Sequence, residues 1–270
     1  MRTKLLLVLS LMTFYSQGQI VNLSYIKNDA TDYDLKMRSK GAKDEDDKQK
    51  SYEFFSGGNI DYISGGLIQA NTQLFKINIG EPKKFYMPFY VVVGADKETG
   101  SDTDADANKS TSVNLLSANG GYLNLGLHGN WSPKWLSFGD YSKISLVYQL
   151  GAKSIIGNDM VTNERVNLFS GIGNVGFLLQ TAAWNPDDIE NIGMAWVQCA
   201  FSNTLNDNEK IKKIYGENVN RHFYGLNVEA GVEIEKYINL RFGYYSYFNN
   251  NDINDEFKDG IMKFSVDFKI

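Results

Sequence analysis

Residue types that carry out catalysis are scarce in this chain. Two histidines, His128 and His222, and one cysteine, Cys199, stand among 270 residues. The strand pattern set out below places the two histidines at opposite ends of their strands, so neither a shared metal site nor a histidine dyad is expected. No metal and no cofactor are predicted. His222 follows Arg221 and neighbours a stretch holding Asp207 and Glu209. A rim histidine near carboxylates is raw material for acid–base chemistry, but no hydrolase motif accompanies it. The chain is read as a non-enzyme, with a rim-active hydrolase as the alternative. Two further patterns fall short of a site. Asp102, Asp104, Asp106 and Asn108 offer oxygen ligands at every second position, as an EF-hand loop begins, but Ala107 stands where that loop needs glycine. A solvated acidic loop over 96–111 is expected instead. Gly171-Ile172-Gly173-Asn174-Val175-Gly176 matches a dinucleotide fingerprint without the strand–turn–helix frame that gives it meaning. Its glycines are read as bending or close-packing points in a strand.

Alternation remains as the informative signal. Leu226, Val228, Ala230, Val232 and Ile234 share one parity, and Asn227, Glu229, Gly231, Glu233 and Glu235 the other. Period two belongs to a strand with one apolar and one polar face. It returns at Leu240, Phe242 and Tyr244, and again at Phe264, Val266, Phe268 and Ile270. The same reading gives strands at Ile20 to Ile26, Leu67 to Ile79, Phe85 to Ala95, Val113 to His128, Tyr141 to Ile156, Val166 to Ala183, Asn191 to Asn203, His222 to Glu235, Asn239 to Phe248 and Ile261 to Ile270. Tyr52 to Ser64 reads either as a strand or as part of the polar loop that begins at Lys27.

The remaining composition narrows the setting. Arg2 and Lys4, the apolar run Leu5 to Phe14 and the small-x-small triplet Ser16-Gln17-Gly18 form a secretory signal over 1–18, with cleavage before Gln19. Residues 19–270 are read as one domain. A single cysteine forbids an intramolecular disulfide. The net charge of -5 argues against nucleic acid.

Alternating strands, a tight closing turn and an apolar C-terminal residue in an exported chain resemble a small Gram-negative outer-membrane β-barrel. The resemblance spans nearly all of the mature chain and rests on diffuse signals, so it transfers no functional residue. It implies an all-β, antiparallel up-and-down transmembrane barrel of about ten strands, or twelve if Tyr52 to Ser64 belongs to another hairpin, in the cell outer membrane. Connections at 80–84, 129–140, 184–190 and 236–238 are expected on the periplasmic side. The longer loops 96–111, 157–165, 204–221 and 249–260 are expected outside. Trp131, Trp135, Trp184 and Tyr237 would then form a periplasmic aromatic girdle.

On that frame the polar parity lines the lumen. A three-residue turn at Lys236-Tyr237-Ile238 pairs Ile234 with Leu240 outside. Inside, it pairs Glu233 with Arg241, Gly231 with Gly243 and Glu229 with Tyr245. Glu233 and Arg241 are expected to form a structural charge pair. Glu229, Tyr245, Lys263 and Asp267 are lumen lining, as are Gln69, Asn124, His128, Gln149, Lys153, Gln180 and Lys269. A ten-strand interior is nearly filled by side chains, which disfavours a wide pore. The functional expectation is a narrow channel or a structural or adhesive membrane protein. Its contacts are outer-membrane lipid and, if it conducts, small solutes or ions. The alternatives are an accessory barrel of a secretion or envelope-assembly system, which needs a protein partner, the rim-active enzyme, and a soluble secreted β-sandwich.

Overall fold

Strict alternation dictates a strand with two unlike faces, and a set of such strands has no exposed edge only when it closes on itself. The computed structural model describes residues 52–64, 66–77, 79–81, 85–86, 89–98, 104–117, 120–131, 137–138, 142–184, 193–234, 238–249 and 260–269. Within them, ten long strands form a closed antiparallel barrel. They are β1 Tyr52–Ile63, β2 Leu67–Ile77, β3 Phe89–Glu98, β4 Leu123–Trp131, β5 Ser142–Asn158, β6 Arg165–Trp184, β7 Gly193–Asn206, β8 His222–Ile234, β9 Ile238–Tyr247 and β10 Ile261–Lys269. Each pairs with its neighbour in sequence, and β1 pairs with β10 to close the ring. The expected signal segment, the expected strand at Ile20 to Ile26, Trp135 and Tyr237 lie outside the described residues.

The faces sort as the alternation requires, in the inverse of a water-soluble protein. Inward positions of β7 and β10 hold Gln198, Ser202, Thr204, Lys263, Ser265 and Asp267, all buried, while Val197, Phe201, Leu205, Met262, Phe264 and Phe268 point outward and are exposed. Two β-bulges, between Phe54 and Gly57 of β1 and between Gln73 and Phe75 of β2, reset the pairing near one rim. The first takes Phe55 to φ 48, the left-handed region.

Three expectations change. Tyr52 to Ser64 is a strand, so the count of ten stands with β1 in it. Val113 to His128 is not one strand: helix α1, Asp104–Leu116, runs through the expected acidic loop, and β4 begins only at Leu123. The reason is local. Val113, Leu115 and Leu116 are all buried, and adjacent apolar residues cannot share one face of a strand, whereas a helix allows it. The helix also disposes of the calcium-loop resemblance, because residues two apart on a helix do not share a face. The loop 204–221 likewise holds helix α2, Asn208–Tyr215. Asp207 caps it by accepting from the Glu209 and Lys210 amides at 3.1 and 3.2 Å, and Gly216 at φ 96 ends it. Gly171 to Gly176 is strand throughout.

Candidate functional site

The lumen is built from inward residues of neighbouring strands and falls into three layers. The first is charged and lies where the chain ends meet. Asp61 of β1, Glu229 of β8 and Asp267 of β10 surround Arg241 of β9 and Lys263 of β10, each buried. Arg241 Nη2 donates to Asp267 Oδ1 at 3.0 Å and to Asp61 Oδ1 at 3.5 Å, and Nη1 lies 3.7 Å from Glu229 Oε1. Lys263 pairs with the other Asp61 oxygen. Amides complete the layer: Asn59 donates to Asp61 at 2.6 Å, Asn71 to Asn59 at 3.0 Å and Asn239 to Asp267 at 2.6 Å. The Tyr245 hydroxyl donates to Glu229. Buried charges survive when opposite charges face them, and here each charged group has an opposite charge beside it across five adjacent strands, β2, β1, β10, β9 and β8, although Arg241 Nε and Nη1 and Glu229 Oε2 are left without a hydrogen bond.

The second layer is built mainly of amides and aromatic rings, with one buried cation, Lys76 of β2, opposite Tyr90 in the ladder. Gln149 of β5 donates to the Tyr90 hydroxyl of β3 and accepts from Asn174 Nδ2 of β6 at 2.9 Å. His128 stands edge-on to the Tyr90 ring, 5.4 Å between centroids. Trp196 of β7 lies against Gly231 and donates from Nε1 to Asn239 Oδ1 at 3.0 Å. A Cβ on Gly231 would meet the indole at 2.4 Å, so glycine there is what admits the ring.

The third layer is apolar and closes the end that holds α1, α2 and the β5–β6 turn. Ile63, Leu67, Ile155, Leu168, Phe223 and Ile261 from the walls meet Val113, Leu115 and Leu116 of α1 and Ile211 and Ile214 of α2. Ser112 of α1 and Tyr215 of α2 share a hydrogen bond at 3.0 Å. Outside the barrel, Asp159 accepts from the amides of Val161 and Thr162 in the β5–β6 turn, which holds its carboxyl below the usual range.

The predicted lumen residues are where the alternation put them, on the inner face and buried: Gln69, Asn124, His128, Gln149, Lys153, Gln180, Glu229, Glu233, Arg241, Tyr245, Lys263 and Asp267. The Lys269 side chain lies outside the described residues. The pairing within the closing hairpin is corrected. Ile238 is the first residue of β9 and faces Ile234, so the register slides by two. Glu233 therefore faces Asn239, Gly231 faces Arg241 and Glu229 faces Gly243. A slip of two keeps every side chain on its face, so the residues stay inside while their partners change. Arg241 pairs with Asp267, Glu229 and Asp61 instead of Glu233.

Asp61 escaped sequence reasoning. Its signal is the parity of Asn59, Asp61 and Ile63 against Ile60 and Tyr62. Parity puts Lys153 in the lumen, but its partner there, α1, carries no strand signal. Of the expected girdle, Trp131 is exposed at the end of β4 near the β4–β5 connection. His222 touches the Asn203 amide at 2.8 Å and Tyr224, not a carboxylate, and Asp207 is committed to capping α2.

No family model matches the chain, and no curated protein matches it. Among solved structures, one of the NanC porin in a rhombohedral crystal form is 10% identical with a TM-score of 0.28, covering 79% of this chain and 99% of that one. A likeness that faint carries no argument, so the barrel is read from this chain's own strand ladder.

Proposed function

We propose that this protein is an integral outer-membrane β-barrel with a filled lumen, acting as a structural or adhesive surface protein. The observation that carries the reading is the inverted distribution of side chains. Leu150 (68%), Phe169 (58%), Phe177 (59%) and Phe242 (54%) are exposed on the outside, while Asp61, Arg241 and Lys263 are buried within. Monomers in water rarely expose contiguous apolar surface beyond a few hundred Å², whereas a bilayer requires it. Strands of about 9–11 residues span a membrane when tilted, and β5 and β6, with 17 and 20 residues, reach beyond it. The signal-like segment at 1–18 fits export.

Of the two functional expectations, filling favours the structural one. Charged, amide and apolar side chains occupy the lumen, and a ten-strand ring leaves little room beyond its side chains. The β5–β6 turn lifts Met160 and Val161 into solvent, with Val161 87% exposed, which suits surface contact.

Cys199 gives the test, since it is free and outward-facing on β7. A fluorophore attached there, in protein refolded into vesicles, is expected to be quenched by brominated lipid and not by aqueous iodide. Quenching by iodide alone, or extraction of the protein without detergent, would overturn the membrane reading in favour of a soluble β-sandwich.

A further inference from the structure

Helix α1 does not complete its own C-terminal end. The last carbonyls of a helix lack intrahelical partners, and here the barrel wall supplies them. Lys153 of β5 donates to the carbonyls of Asn114 at 2.8 Å, Leu115 at 2.7 Å and Ser117 at 2.7 Å. The Tyr247 hydroxyl of β9 donates to the Leu116 carbonyl. Gln69 of β2 donates to the Asn114 side chain at 2.6 Å. All three ammonium protons of Lys153 are used, and among the described residues no carboxylate pairs with it. Its charge is met by the negative end of the helix. Beside it, Gly157 of β5 leaves room for both helices: a Cβ there would lie 2.8 Å from Ile214 of α2 and 3.0 Å from Thr111 of α1.

None of these bonds belongs to the strand ladder. α1 fills the mouth of the barrel without being part of its wall, and three wall side chains fasten its last turn. We infer that α1 is a latched plug: Lys153 holds the helix in the outer mouth, and release of that latch opens the mouth to solvent while the barrel stays closed around it. The inference rests on the barrel itself and not on the surrounding lipid. Its test is therefore made in detergent, where the membrane reading can fail without affecting the result.

Ser117 is buried beside the latch, and Ser117→Cys in a Cys199→Ser background is a small change that reports on access. Labelling of the folded full-length protein by a bulky, charged maleimide is expected to be slow. Lys153→Met should speed it by about 10- to 100-fold, the factor that a charged hydrogen bond represents. Tyr247→Phe should speed it by a few-fold, with heat-dependent gel migration showing in each case that the barrel remains folded. Unchanged labelling in folded Lys153→Met would overturn the latch. If Lys153→Met does not fold, Tyr247→Phe decides alone: a faster rate supports the plug, and an unchanged rate overturns it.

Discussion

Where β10 meets β1, the lumen is held by Asp61, Arg241, Lys263 and Asp267; across the barrel, between β3, β5 and β6, it is held by Tyr90, Gln149 and Asn174. Both regions are buried, polar and hydrogen-bonded, yet one is a network of opposed charges and the other is built on amides and rings, with Lys76 opposite Tyr90 as its buried cation. The ladders beside them differ too. The β1–β10 register runs from Gly57 to Ile63, whereas β5 and β6 pair from Ser142 to Asn158 without a break. β1 and β10 are also the most distant strands in sequence, so their pairing closes the largest loop and carries the largest entropic cost. Strong, directional contacts are placed where the ladder is short and the chain must be brought furthest. Across the long β5–β6 ladder, the inward Gln149 and Asn174 are joined by a neutral hydrogen bond.

That contrast can be broken at several points. Asp61→Ala leaves Lys263 and Arg241 buried with a carboxylate missing, and should cost about 3–5 kcal/mol. Urea unfolding of the refolded barrel measures it. Asp61→Leu combined with Lys263→Leu should recover part of that loss, because no lone charge is left from that pair. On the opposite wall, Gln149→Leu strands the Tyr90 hydroxyl and the Asn174 amide, and should cost about 1–3 kcal/mol in the same assay. A loss as large as that of Asp61→Ala would erase the distinction between the two regions. Gly231→Val pushes into the Trp196 ring, and overpacking of this kind costs about 1–3 kcal/mol. Near-ultraviolet circular dichroism should report the displaced indole. The smallest effect is at the β5–β6 turn. Asp159 has its carboxyl pKa lowered by the Val161 and Thr162 amides. The order it lends the turn is therefore full above the ordinary carboxylate range and is lost as pH falls through the lowered folded value. Amide exchange at Val161 and Thr162 should rise relative to neighbouring turn amides at acid pH, and Asp159→Ala should remove that dependence.

Much of this architecture was legible in the sequence, for a definite reason. Alternation fixes which face a residue takes, and Gln149, Glu229, Arg241 and Lys263 are inside because parity leaves them no other face. Parity does not say which neighbour each one meets. A hairpin register off by two keeps Arg241 inside but sets it against the wrong carboxylate. α1 falls across an expected acidic loop, 96–111, and an expected strand from Val113; glycine and alanine on both faces of that stretch blur its inside and outside, while the adjacent Leu115 and Leu116 are the sign of a helix. α2 carried clearer marks in Asp207, Ile211, Ile214 and Gly216, spaced as a cap, an apolar stripe and a stop. Asp61 and the Lys153 latch depend on contacts between strands distant in sequence, which no local pattern records.

Single-channel conductance of the refolded wild-type protein in a planar bilayer tests the filled lumen most directly. The account predicts insertion with no conducting steps. Stable open steps from the unmodified protein would contradict it and would put a water path through the layer that Asp61, Arg241 and Lys263 occupy.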